Sequence, residues 1–180
     1  MSEETETPNN FGNTVDKFKG MSIEDIRSKL SENSLPYAAC MMQLKGDFNF
    51  GTLVRNANAF MAREVFYFGQ RRKWDRRGAV GTYHYTVVKW IQSLETLQEL
   101  RGRYPHFVAM DILPGVSKPM HEHVWQPGTL LFFGEEQQGL QPEILDLCDE
   151  ILHIPQGGSV RSINVGTASG IAMHSIMREL

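Results

Sequence analysis

The chain has 180 residues, 41% hydrophobic and 22% charged, with a formal net charge of −3; this describes an ordinary globular domain able to bury a core of its own. Cys40 and Cys148 form neither a CxxC pair nor a ligand-like cluster, so neither a disulfide framework nor a structural zinc site is indicated. No apolar run reaches 18 residues, and the acidic N-terminus lacks the basic-then-apolar order of a secretory signal, so the expected compartment is the cytoplasm.

Residues 1–20 are polar, without apolar periodicity, and read as a flexible tail. Ser22 followed by Asp25 resembles a capping box. Ile23, Ile26 and Leu30 then give the stripe of a short helix over 23–31, so 21–35 form a helical extension ahead of a domain spanning 36–180. The nearly continuous apolar run 37–44 reads as a buried parallel strand. A turn with Asn49 and Gly51 follows, then a helical pattern through Leu53, Val54, Ala57 and Phe60. Further strands are expected at 64–68, 86–91, 107–112, 129–133 and 151–154. Helices are expected after Ser93, from Pro142 through Leu147, and over 164–179. Strands alternating with helices, several of them apolar throughout, predict an α/β fold with a mostly parallel sheet covered by helices on both faces. Ligands bind beyond the carboxyl ends of such strands.

The charge is uneven. Residues 71–77, RRKWDRR, hold five basic side chains, whereas 135–150 are acidic. A local basic patch can bind phosphate on an acidic chain, although a solvated surface loop reads the same way. Trp74, Tyr83 and Tyr85 nearby can stack on bases or serve as ordinary surface aromatics.

Three segments carry candidate chemistry. In 47–60, Asn49 and Gly51 precede Arg55, whose guanidinium suits phosphate or substrate oxygens. In 132–140, a strand runs into Gly134, followed by Glu136, Gly139 and Leu140. No GxGxxG or GxxxxGK[ST] is present, so dinucleotide and P-loop readings fail. In 154–177, the loop Pro155, Gly157, Gly158 leads to Ser162 and Asn164, either able to cap the last helix. Gly166 and Gly170 inside that helix each cost about 1 kcal/mol relative to Ala, so close packing of a helix or a ligand is expected there. His121, Glu122 and His123 lack HExxH spacing, and no metal site is expected.

In order and content the three segments resemble the SpoU/TrmH family of RNA ribose 2′-O-methyltransferases, within the SPOUT superfamily. The first motif, NxGxxxR, reads Asn49, Gly51, Arg55; the second, GxExxGL, reads Gly134, Glu136, Gly139, Leu140. The third resembles IPxxGxxxSLNV and reads Ile154, Pro155, Gly158, Ser162, Ile163, Asn164, Val165, with Ile163 replacing Leu. The wording of this third motif is most similar to the branch that methylates tRNA guanosines.

The resemblance implies a C-terminal deep trefoil knot, which general fold rules alone disfavour. It also implies a homodimer in which the last helix and the first-motif helix meet, the small residues of 166–172 fitting such packing. The implied cofactor is S-adenosyl-L-methionine, held by Met110, Asp111, Ile112, Gly134, Glu135, Gly139, Ile154, Gly158, Ser162 and Ile163. The implied catalytic set is Arg55, Asn49, Glu136, Ser162 and Asn164. Arg55 stabilises charge on the ribose 2′-oxygen or, if deprotonated, acts as base; arginine's persistent charge favours the first role. The RNA partner, expected to be tRNA, meets Arg71, Arg72, Lys73, Arg76, Arg77 and Arg161. Alternatives are an rRNA substrate, or a non-catalytic RNA- or cofactor-binding module of the same fold.

Overall fold

The computed structural model describes residues 14–42, 48–69, 73–135 and 139–180. The elements run α1 (Ile23–Glu32), β1 (Leu35–Met42), α2 (Phe48–Ala59), β2 (Ala62–Phe68), β3 (Val88–Ile91), α3 (Leu94–Glu99), β4 (His106–Met110), β5 (Lys118–Pro119), β6 (Thr129–Phe133), α4 (Pro142–Leu145), β7 (Glu150–His153) and α5 (Val165–Glu179). Among the described residues, seven strands form one sheet in the order β3-β2-β1-β6-β4-β7-β5. Every strand pair is parallel. The expected α/β class is therefore found.

Central strands β1 and β6 are apolar because both of their faces are covered. Tyr37, Ala39, Met41, Leu131 and Phe133 pack with α2 and α5 residues, including Leu53, Val54, Met173 and Ile176. Ala38, Cys40, Leu130 and Phe132 pack on the other side with Leu97 and Ile144, from α3 and α4. Both cysteines are free. Burial holds the Cys40 thiol above its usual range, and burial together with Asp149 pushes Cys148 up to about 12, so neither is a poised nucleophile.

Local chemistry sets the helix starts. Ser22 Oγ accepts the Asp25 amide at 3.1 Å and donates to Asp25 Oδ2 at 2.8 Å, closing α1 as its sequence suggested. Ser93 Oγ accepts the Thr96 amide, and Pro142 opens α4. Several boundaries differ from expectation. Residues 14–20 of the polar tail include a 3₁₀ turn at Asp16–Phe18. Helix α2 already includes Asn49 and Gly51, so these lie in its first turn and Arg55 lies at mid-helix. β3 begins at Val88, because Thr86 is bonded back to Thr82 O. β4 stops at Met110, where the Asp111 carboxylate takes the Ile112 amide and turns the chain. β5 was not anticipated; two residues containing a proline carry no strand signal, and it exists only by pairing with β7.

Glu64 is 3% exposed on β2 and fully engaged. It accepts Tyr104 Oη at 2.7 Å and pairs with Arg103 at 2.8 Å and Lys89 at 2.6 Å. Truncation leaves the buried Tyr104 hydroxyl unpaired and two cations facing each other. Glu64→Ala is expected to cost about 2–3 kcal/mol, below the ~3–5 kcal/mol of a wholly buried pair because both cations stay half-exposed. A thermal melt should fall by roughly 5–10 °C; an unchanged midpoint would refute this account.

Candidate functional site

A cavity of ≈ 220 Å³ opens where β4, β6 and β7 end. Met110 and Asp111 close one side, Phe133 through Glu135 another, and Leu152 through Ile154 a third. The loop before α5 adds Gln156, Arg161, Ser162 and Ile163.

Glycines bring these walls together. Glu135 and Gly139 exchange two backbone hydrogen bonds, at 3.1 and 2.7 Å, which hold these two residues side by side. A Cβ on Gly134 would overlap the Gly139 carbonyl carbon and stand 2.5 Å from Leu140 N. Gly139 takes φ +66°, and a Cβ there would meet Asp111 Oδ2 at 2.7 Å. Asp111 ties the three strand ends together. Its amide donates to Leu152 O, its Oδ1 accepts Ile112 N at 2.7 Å, and its Oδ2 accepts Leu140 N at 2.9 Å. Asp111→Ala strands the Leu140 amide, and a loss of about 1–3 kcal/mol is expected. Faster hydrogen exchange at Leu140 together with a lower melting midpoint would bear this out; protection as in the parent protein would not.

Helices α2 and α5 meet beside this cavity. Asn56 Nδ2 donates to Gly166 O at 2.8 Å and to Ser169 Oγ at 3.0 Å. A Cβ on Gly166 would lie 2.9 Å from Thr52 Cγ2, and one on Gly170 3.2 Å from Asn56 Nδ2. The two helical glycines thus serve close contact with α2 of the same chain, the helix packing that their cost led one to expect. Asn164, between the lining residues Ile163 and Val165, caps α5 by accepting the Thr167 amide at 3.3 Å. Its Nδ2 donates to Asn49 Oδ1 at 3.0 Å, joining the first and third motifs directly.

Of the ten residues expected around a cofactor, nine line the cavity and the exposed Gly158 does not. Ser162 lines it but does not cap α5. Arg55 is exposed on α2, away from the lining, with no hydrogen bond or ion pair among the described residues. Glu136 lies outside the described residues. Sequence reasoning missed Phe133, Leu152, His153, Gln156, Val165 and Ala168. The first three end β6 and β7, so the strand-end rule alone could have found them. Gln156 carried no signal, yet its Oε1 is buried and has no partner among the described residues.

The basic segment divides. Arg71 and Arg72 lie outside the described residues, and Lys73 is exposed. Arg76 stacks over Tyr83, 4.7 Å from the ring centroid. Arg77 is forked onto Asp75 at 2.6–3.0 Å, so its charge is locally compensated. Arg161 belongs to the cavity rather than to this patch. The 3₁₀ turn Arg76–Ala79 docks on α2, since a Cβ on Gly51 would meet Asp75 O at 2.8 Å and one on Gly78 would meet Phe48 O at 2.5 Å. The first-motif glycine is therefore needed to admit the basic turn.

Residues 36–174 match the SpoU rRNA Methylase family. A tRNA (guanosine(18)-2′-O)-methyltransferase of Aquifex aeolicus is 27% identical over 161 residues, covering 87% of this chain and 76% of the relative. A 23S rRNA (guanosine-2′-O-)-methyltransferase of Acinetobacter baylyi is 25% identical, covering 88% of this chain and 66% of the relative. The chain thus spans about two thirds to three quarters of these relatives' lengths. In fold it is similar to the SpoU methyltransferase AviRb of Streptomyces viridochromogenes, solved in complex with AdoMet, at TM-score 0.72 and 21% identity over 80% of this chain and 60% of that one.

Proposed function

The chain belongs to the SpoU rRNA Methylase family, and from that premise we propose that it is an S-adenosyl-L-methionine-dependent RNA ribose 2′-O-methyltransferase, with tRNA as its substrate. The observation that carries the reading is the strand-end cavity joined to the Arg55 helix through the Asn49–Asn164 bond.

The cavity's chemistry fits the cofactor. Apolar Met110, Phe133, Leu152, Ile154, Ile163 and Val165 suit the adenine ring. The buried Gln156 Oε1, without a partner among the described residues, offers an acceptor for an amino group. Asp111 and Glu135 place carboxylates beside a ligand whose sulfonium and ammonium are cationic. When bound, the cofactor supplies an activated methyl group as electrophile.

The residues then divide the remaining work. Gly134, Glu135 and Gly139, held in close approach, would hold the cofactor on this side of the cavity. Asn49 and Asn164 hold the α2 and α5 starts together, so that the acceptor ribose meets a fixed wall. Arg55, exposed and uncommitted among the described residues, is available to a nucleotide's oxygens and to the charge that grows on the 2′-oxygen as its proton leaves. Glu136 orients Arg55 or a neighbouring group in this scheme, and Ser162 and Arg161 meet substrate at the cavity's edge.

The same reading includes the trefoil knot at the C-terminus, a homodimer, a cytoplasmic location, and the division into a 1–20 tail, a 21–35 extension and a 36–180 catalytic domain. An rRNA substrate is the second reading, supported by the comparable similarity of the Acinetobacter relative. Mapping 2′-O-methylation after incubation with unmodified tRNA, unmodified rRNA and cofactor decides between them. A new site in tRNA supports the proposal, a site in rRNA alone supports the second reading, and no site in either refutes both.

A further inference from the structure

A second and larger hollow, ≈ 810 Å³, lies at the opposite end of the sheet, against edge strand β3. Thr86 through Trp90 line it together with Tyr67, Trp74 and Tyr83, and Arg27, Arg76 and Lys89 supply its charge. Among the described residues, none that lines it carries a carboxylate. Lys89 is paired with Glu64, but Arg27 and Arg76 have no carboxylate partner among the described residues. Arg27 Nε is fixed by His84 O at 2.6 Å, and Arg76 by its position over Tyr83. The two cations also bear on His84, whose imidazole is pushed down by burial and then by Arg76 and Arg27.

The aromatic wall is preassembled. Phe50 of α2 meets Trp74 edge-on at 5.0 Å, and Trp74 meets Tyr83 at 6.1 Å. The row begins one residue from Asn49, so the hollow is mechanically continuous with the first-motif helix. Trp90 donates its indole N–H to Gly69 O at 2.7 Å. Rings beside uncompensated cations suit a ligand with a π-face and an anionic group. Bases inside a duplex are stacked and out of reach of such a wall, so the ligand must be unpaired.

We propose that this groove seats an unpaired nucleotide of the RNA outside the methylated position, its base against Trp74 and its flanking phosphates at Arg27 and Arg76. The proposal rests on RNA being the substrate, but not on catalysis.

The test uses the full chain without cofactor, titrated at low salt with a single-stranded uridine hexanucleotide and, separately, with a six-base-pair RNA duplex. Two of the three tryptophans line the groove, so binding reports as quenched fluorescence. The single strand should bind more tightly than the duplex. Reversing both exposed cations, Arg27→Glu with Arg76→Glu, should weaken it at least tenfold and lower the log–log salt slope by about 1.4, two phosphate contacts at ~0.7 each. Equal affinity in the double variant, equal affinity for the duplex, or unquenched fluorescence overturns the proposal. So does a change in sedimenting mass in the double variant, which would make the groove a contact between copies. Hexanucleotide binding as expected with no methyl transfer to any RNA would leave the groove standing and remove the proposed function. Transfer with a hexanucleotide affinity indifferent to the reversals would do the opposite.

Discussion

Arg55→Ala is expected to lower methyl transfer by about 10²–10³-fold, the usual loss when one preorganised donor to a developing oxyanion is removed. The fold should be untouched, because the side chain is exposed and makes no hydrogen bond or ion pair among the described residues. Binding of S-adenosyl-L-methionine should be unchanged, since Arg55 does not line the cavity. Single-turnover transfer beside calorimetric cofactor binding separates the two quantities. Arg55→Lys distinguishes charge from shape. A lysine keeps the cation but loses the planar fork, so little rescue is expected if two substrate oxygens are held at once. Cofactor affinity falling in step with turnover would contradict the division of roles and put Arg55 on the cofactor instead.

The second large effect is expected from Gly134→Ala. A methyl group there has no free direction, because it would overlap the Gly139 carbonyl carbon and crowd Leu140 N. The obstacle is backbone, which cannot rotate aside as a flexible side chain can. The Glu135–Gly139 pair of bonds must open or β6 must shift, at a cost of roughly 3 kcal/mol, the upper part of the range for overpacking. Cofactor affinity should fall more than a hundredfold, since three walls of the cavity depend on that turn. Gly157→Ala is the control, because a Cβ there meets nothing within 4 Å. Equal affinities for the two variants would show that the turn tolerates the methyl and does not shape the cavity.

The elements legible from sequence were those whose pattern is local. Apolar runs at 37–44 and 129–133 announced strands covered on both faces, and Ser22, Ser93 and Pro142 marked helix starts through bonds or angles within one turn. Boundaries failed where a distant group intervened. Asn49 and Gly51 look like turn residues, yet α2 encloses both, because one bonds Asn164 and the other must admit the basic turn. β5 had no signal of its own.

For the candidate site, the motif residues and the strand-end rule named most of the cavity's lining, because a glycine where the chain must turn sharply is visible in one dimension. What tertiary structure alone decided was how each polar group is used. Arg77 is taken up by Asp75, while Arg76 and Arg27 are left for the groove; Gly166 and Gly170 receive α2 of the same chain; the Gln156 carbonyl oxygen is buried without a partner among the described residues. The physical reason is range. Periodicity and capping act over a few residues and are written in neighbouring side chains. Pairing of charges, close approach of backbones and burial of a single oxygen depend on residues dozens of positions apart, which only the folded chain brings together.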